Sequence, residues 1–158
     1  MKKILYSIML LFTATAVMTS CSTTKNATTA SISRGKVTGT WTVNSITYDG
    51  IVENAVQSLF DQGPPSVFQG STWTLTNSGK GIYVLNNGTT QSIFWGLNNN
   101  DGNSEFSFKK LNEGDKAKTV ESGYKLLVGT ADGNNLTLRA PVQYMGNTGY
   151  IVFNMAKK

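Results

Sequence analysis

Histidine is absent from the 158-residue chain, and cysteine occurs once. Without histidine there is no Ser-His or Cys-His nucleophile system, and the commonest transition-metal ligand is missing. One cysteine cannot close an internal disulfide. Proline is scarce at 3, and charged residues make up 15% of the chain against 39% hydrophobic. That is too little charge for a disordered chain and enough apolar surface for one core. The formal charge of +5 falls by two once Lys2 and Lys3 are removed with a leader, and the remaining doublets are only Lys109-Lys110 and Lys157-Lys158. Counterion release needs several phosphate contacts from one patch, so nucleic acid is excluded as a partner. Glu113 and Asp115 lie in a polar stretch where nothing would raise a carboxylate towards neutrality. No glycine-rich phosphate loop precedes a helix, and no metal-ligand spacing occurs. The chain reads as a non-enzyme with no catalytic residue, no metal and no cofactor.

What is present begins with an export signal. Lys2-Lys3 supply a positive start, and Ile4 to Val17 is apolar but broken by Ser7, Thr13 and Thr15. The run is shorter than the ~20 apolar residues of a membrane-spanning helix, and small residues follow it, so residues 1–20 read as a cleaved signal peptide. Met18-Thr19-Ser20-Cys21 resembles the bacterial lipobox, with Met18 in place of the commoner Leu. That resemblance implies a thioether-linked diacylglycerol on Cys21, which becomes the new N-terminus, and attachment to the membrane through this lipid anchor. Two or more acyl chains, at ~0.8 kcal/mol per buried methylene, hold stably where one would not. Ser22, rather than Asp, after the cysteine implies the outer membrane, and Ser22-Thr23-Thr24-Lys25 lacks the acidic residues that accompany surface export. The expected location is the periplasmic face. Residues 21–36 are rich in Ser, Thr, Asn and Ala, with Ile32 the only large apolar residue. They read as a flexible tether.

From residue 37 to 158 the pattern is short alternating runs between turn residues. Thr38 to Tyr48 places Trp41 and Val43 on one parity and Ile46 and Tyr48 on the other, which predicts a bulge near Asn44-Ser45. Trp73 and Leu75 form a second strand, and Tyr83 and Leu85 a third. Asn87-Gly88 is a hairpin signal. Ile93, Trp95 and Leu97 share a face in the fourth strand, Asn98 to Gly102 reads as a polar loop, and Phe106 and Phe108 alternate in the fifth. Tyr124, Leu126 and Val128 mark the sixth. Leu136, Leu138 and Ala140 mark the seventh, with Pro141 predicting an edge, a bulge or a strand end. Asn147-Thr148-Gly149 reads as the turn into an eighth strand, Tyr150 to Met155. Glu53 to Gln62 carries Val56, Leu59 and Phe60 at near-helical spacing before Gly63-Pro64-Pro65, which predicts one short helix. Eight consecutive hairpin-linked strands favour an all-β, antiparallel up-and-down barrel, because closure removes exposed edges.

Gly39-Thr40-Trp41 resembles the Gly-x-Trp signature of lipocalins. Phe68-Gln69-Gly70-Ser71-Thr72-Trp73 followed by Gly79-Lys80-Gly81-Ile82-Tyr83 is similar to the second- and third-strand region of lipocalin-like lipoproteins of the Bacteroidetes type. The resemblance spans residues 37–158. It implies a lipocalin-like barrel with Gly39 and Trp41 as a structural signature, Trp41 plugging the closed end. Arg139 is the one candidate inside the domain for the cation that caps this Trp, and the closing helix of classical lipocalins has no counterpart.

Two functional readings follow. In the first, which the resemblance implies, the interior holds a small hydrophobic ligand, lined by Trp73, Leu75, Tyr83, Ile93, Trp95, Phe106, Phe108, Tyr124 and Leu126. Such walls suit apolar pockets. The same side chains are also large enough to fill an eight-stranded barrel by themselves. In the second, a filled barrel presents loops to an envelope or extracellular protein, through the connection Gly63 to Phe68 and the Asn-rich stretch Asn98 to Asn103.

Overall fold

Most of the turn signals reverse the chain between antiparallel neighbours. A computed structural model describes residues 31–117 and 122–158; the segment read as a signal peptide, Cys21 and the first part of the segment read as a tether lie outside the described residues. The strands are β1 Gly39–Asp49, β2 Thr72–Leu75, β3 Lys80–Val84, β4 Thr90–Asn100, β5 Asn103–Lys110, β6 Tyr124–Ala131, β7 Asn135–Tyr144 and β8 Asn147–Lys157. Each pairs with the next, and β8 pairs with β1, closing an eight-stranded barrel. The alternation read from the sequence is the inside–outside alternation of the wall. Trp41, Val43, Trp73, Leu75, Tyr83, Ile93, Trp95, Phe106, Phe108, Leu126, Leu136, Leu138, Ile151 and Phe153 are all buried.

The β1 register shifts between Val43 and Ser45, where the change of parity predicts it. A second shift, between Val128 and Thr130, adds Gly129 to β6. The Asn87-Gly88 hairpin closes with the Leu85 N–H donating to the Thr89 carbonyl at 2.8 Å. Two turns fall elsewhere than expected. Asn98, Asn99 and Asn100 are strand, not loop, pairing with Glu105, Ser104 and Asn103. The chain reverses at Asp101-Gly102, both with positive φ, a two-residue solution that leaves the asparagines exposed at the end of the strand. Likewise Met145-Gly146 makes the last turn at positive φ, so Asn147 to Gly149 are strand and β7 continues through Pro141 to Tyr144.

The helix expected over Glu53 to Gln62 does not form. Only Glu53–Ala55 makes a 3-10 turn, and a second 3-10 turn covers Pro65–Phe68. A ten-residue helix has little stability of its own, and here Leu59 and Phe60 gain more by turning into the barrel mouth, both nearly fully buried. The helix of the structure is α1, Arg34–Val37, inside the segment read as tether. The folded body therefore starts before residue 37. Ile32 donates its N–H to Ser104 Oγ at 3.3 Å, and its carbonyl accepts from Asn99 Nδ2 at 3.1 Å. The Arg34 guanidinium lies 3.9 Å over the Trp95 ring and donates through Nε to the Asn77 carbonyl at 3.0 Å.

Val37 is fully buried, and its carbonyl accepts from Trp41 Nε1 at 2.8 Å. Trp41 thus closes the end of the barrel from which the N-terminal segment leaves. Its cation is not Arg139, which pairs with Asp49 and stacks 4.3 Å from Tyr150. Lys157 of β8 takes that place, 5.6 Å over the Trp41 ring. The Gly39 of the signature is explained by the same contact: at φ +145, a Cβ there would stand 2.9 Å from Lys157 Cε.

Candidate functional site

The end opposite α1 is the mouth, formed by the long β1–β2 connection, the turn after β3, the β5–β6 connection and the β7–β8 turn. Eight of the nine residues nominated from sequence are 0–1% exposed: Trp73, Leu75, Tyr83, Ile93, Trp95, Phe106, Phe108 and Leu126. Tyr124 is half-buried at the rim. The fold brings them together, but against one another. Trp73 and Tyr83 lie 4.8 Å apart between ring centroids, Trp95 stacks on Phe106 at 5.6 Å, and Trp73 meets Phe108 edge-on at 5.6 Å. Edge-to-face and offset contacts at these spacings are those of a packed aromatic core.

Three aromatic residues outside that set complete the interior. Phe153 belongs to β8, and its alternation with Ile151 and Met155 is legible in the sequence. Phe60 and Phe68 come from the β1–β2 connection, where no period marks them. Phe60 is the plug. Its ring stands edge-on to Phe108 at 5.0 Å and to Phe68 at 5.5 Å, stacks on Phe153 at 5.9 Å, and lies 4.9 Å from Tyr124.

The plug is held by a tight loop. The Leu59 N–H donates to the Gly63 carbonyl at 2.7 Å, and Phe60 and Asp61 adopt φ of 52° and 51°. Two successive non-glycine residues in this region cost about 1 kcal/mol or more each, so outside contacts must hold them. Lys110 Nζ donates to the Phe60 carbonyl at 3.1 Å and pairs with Asp61 Oδ2 at 3.3 Å, and the Tyr124 hydroxyl donates to the same carboxylate oxygen. The bonds from Tyr124 and Lys110 hold the Asp61 carboxyl below its usual range. Burial, then the Asp61 bond, push the Tyr124 phenol up to about 12.

Beside the plug the wall is parted. The β6–β7 ladder runs from Ala131↔Leu136 to Leu127↔Arg139 and stops, while β7 goes on pairing with β8 as far as Tyr144↔Asn147. Pro141, which has no N–H to donate, stands at the break. Gly123 opens β6 there at φ +158, where a Cβ would lie 2.3 Å from the Phe108 carbonyl oxygen. The parted seam leaves a cleft of about 350 Å³ lined by Leu59, Phe60, Gly123, Tyr124, Lys125, Ala140 and Pro141. It is mostly apolar, with Tyr124 and Lys125 as the lining residues that carry polar side chains. Two buried polar atoms have no hydrogen-bond partner among the described residues: Trp95 Nε1 and the Tyr83 hydroxyl.

Comparison with family models, with curated proteins and with solved structures returns no match. Cys21, the proposed lipid acceptor, lies outside the described residues.

Proposed function

We propose that this is a lipid-anchored envelope protein of lipocalin-like type whose barrel takes a small hydrophobic ligand at its mouth. The observation that carries the ligand reading is the apolar cleft at the parted β6–β7 seam, beside Phe60. Its volume of about 350 Å³ falls in the range of small-molecule sites, which are concave, mostly apolar and edged by a few polar groups. The barrel interior as it stands is core. The ligand therefore enters at Leu59, Phe60, Tyr124, Ala140 and Pro141 rather than filling a deep cup, and of the nine residues nominated from sequence Tyr124 is the one that meets it first. The N-terminal segment leaves from the Trp41 end, opposite the mouth. No catalytic role is assigned to any residue.

The test is titration of the full chain with fatty acids and other apolar probes, followed by two-dimensional NMR. Binding displaces the resonances of Phe60, Tyr124 and Ala140 and leaves those of Trp41 and Val37 in place. Shifts confined to the outer faces of β3 and β4, or none, would remove the ligand reading.

A second reading has its own observation. The β7–β8 hairpin projects past the seam, with Pro141 to Tyr144 paired on one side only and Met145 at its tip 84% exposed. A filled barrel that presents this hairpin would serve as an interaction module for an envelope or extracellular protein. Crosslinking from position 145 in the native envelope distinguishes the two.

A further inference from the structure

The space that Phe60 occupies has a definite shape. Phe108 and Phe68 present their faces or edges to it at 83° and 85°, and Phe153 lies nearly parallel to it, at 18°. Tyr124 closes the fourth side. This is a slot for one flat ring. An alkyl chain would leave the parallel faces incompletely covered, whereas a planar ring satisfies both the stacked and the edge-on walls.

A polar group that Phe60 does not use stands beside the slot. Tyr83 packs against two of its walls, 6.0 Å from Phe68 and 6.4 Å from Phe108. Tyr83 is fully buried, and among the described residues its hydroxyl completes no hydrogen bond, although the Gln62 side chain lies close by. An unsatisfied buried hydroxyl destabilises the site it sits in, a cost that a bound acceptor would recover. The ring now in the slot belongs to a strained loop fastened by the Asp61 contacts to Tyr124 and Lys110, and the open seam at Pro141 runs alongside.

We propose that Phe60 is a stand-in for the ligand, and that the mouth binds a monocyclic planar aromatic compound bearing a hydrogen-bond acceptor. When it binds, Phe60 swings out into the cleft, the aromatic ring takes its place among Phe68, Phe108, Phe153 and Tyr124, and the Tyr83 hydroxyl donates to the acceptor. This rests on the mouth-binding reading above and narrows it to one ligand class.

Acetophenone, which carries a carbonyl acceptor, and ethylbenzene, which carries none, are the probes. Both are titrated into the full chain and followed by NMR at Phe60 and Tyr83. Acetophenone is expected to shift both residues and to bind at least fivefold more tightly than ethylbenzene. Tyr83→Phe removes that preference while leaving ethylbenzene unchanged. Tyr124→Phe, which loosens the loop while keeping the ring of that wall and the Tyr83 hydroxyl, raises the affinity for acetophenone severalfold. Equal binding of the two probes by the unaltered chain, or a preference that survives Tyr83→Phe, overturns the proposal. If acetophenone fails at Phe60 and Tyr83 while a fatty acid still shifts Ala140 and Tyr124, the aromatic slot is wrong and the mouth-binding reading stands. If neither binds, both fall.

Discussion

Replacement of Arg34 by alanine tests whether the N-terminal segment is part of the fold. The guanidinium sits 3.9 Å over the Trp95 ring, donates through Nε to the Asn77 carbonyl at 3.0 Å, and reaches the Trp95 carbonyl at 3.4 Å. Burial lowers its pKa from the ordinary value, yet guanidinium remains charged at any working pH. A cation over an indole contributes about 0.5–1 kcal/mol when exposed and about 2 when desolvated, and Arg34 lies between these limits. The bond to the Asn77 carbonyl adds about 1 kcal/mol, reduced from the charged-bond range because the site is partly wet. Arg34→Ala should therefore cost about 2 kcal/mol, roughly 6 °C in Tm for a domain of this size. Arg34→Lys keeps the charge but loses the planar fork and should recover about half. Urea denaturation of the full chain measures both, and the Trp95 contribution to fluorescence should change with the loss of its cation. A loss below about 0.5 kcal/mol for Arg34→Ala, or no difference between the two variants, would show that α1 is not fastened as described.

The mouth latch should respond to pH at both ends. Asp61 has a depressed carboxyl, so its stabilisation is present above the ordinary carboxylate pKa and is lost as pH falls through the folded value. Tyr124 has a raised phenol, so its part is present below about pH 10 and is lost as pH rises from there through about 12. Loop opening followed by NMR at Phe60 should rise at both limits, and Asp61→Asn should flatten the acid one; an unchanged acid limb refutes the latch. Gly123→Ala drives a Cβ against the Phe108 carbonyl oxygen and should cost at least about 2 kcal/mol in urea unfolding. A neutral result would mean the β6 start can shift freely. Cys21→Ser should abolish incorporation of labelled palmitate in cells and release the protein from the membrane fraction; retained label elsewhere would refute Cys21 as the acceptor.

The barrel was legible because its inward residues follow the two-residue period of a strand, from Trp41 and Val43 to Ile151, Phe153 and Met155. The bulge near Ser45 was legible for the same reason, since a change of parity requires an extra residue. What the period does not touch was read less well. Ile32 and Arg34 dock through a few contacts each to residues more than 40 positions away, and no local composition marks such contacts. Phe60 and Phe68 belong to a connection without alternation, so near-helical spacing was the only local signal, and it was the wrong one.

The sequence by itself determined the strands, their order and the aromatic character of the interior, because alternation and turn chemistry act between neighbours along the chain. Tertiary structure alone decided that the interior is filled and that Lys157 rather than Arg139 covers Trp41. Those outcomes depend on which side chains meet across the barrel, and distance along the chain carries no record of that.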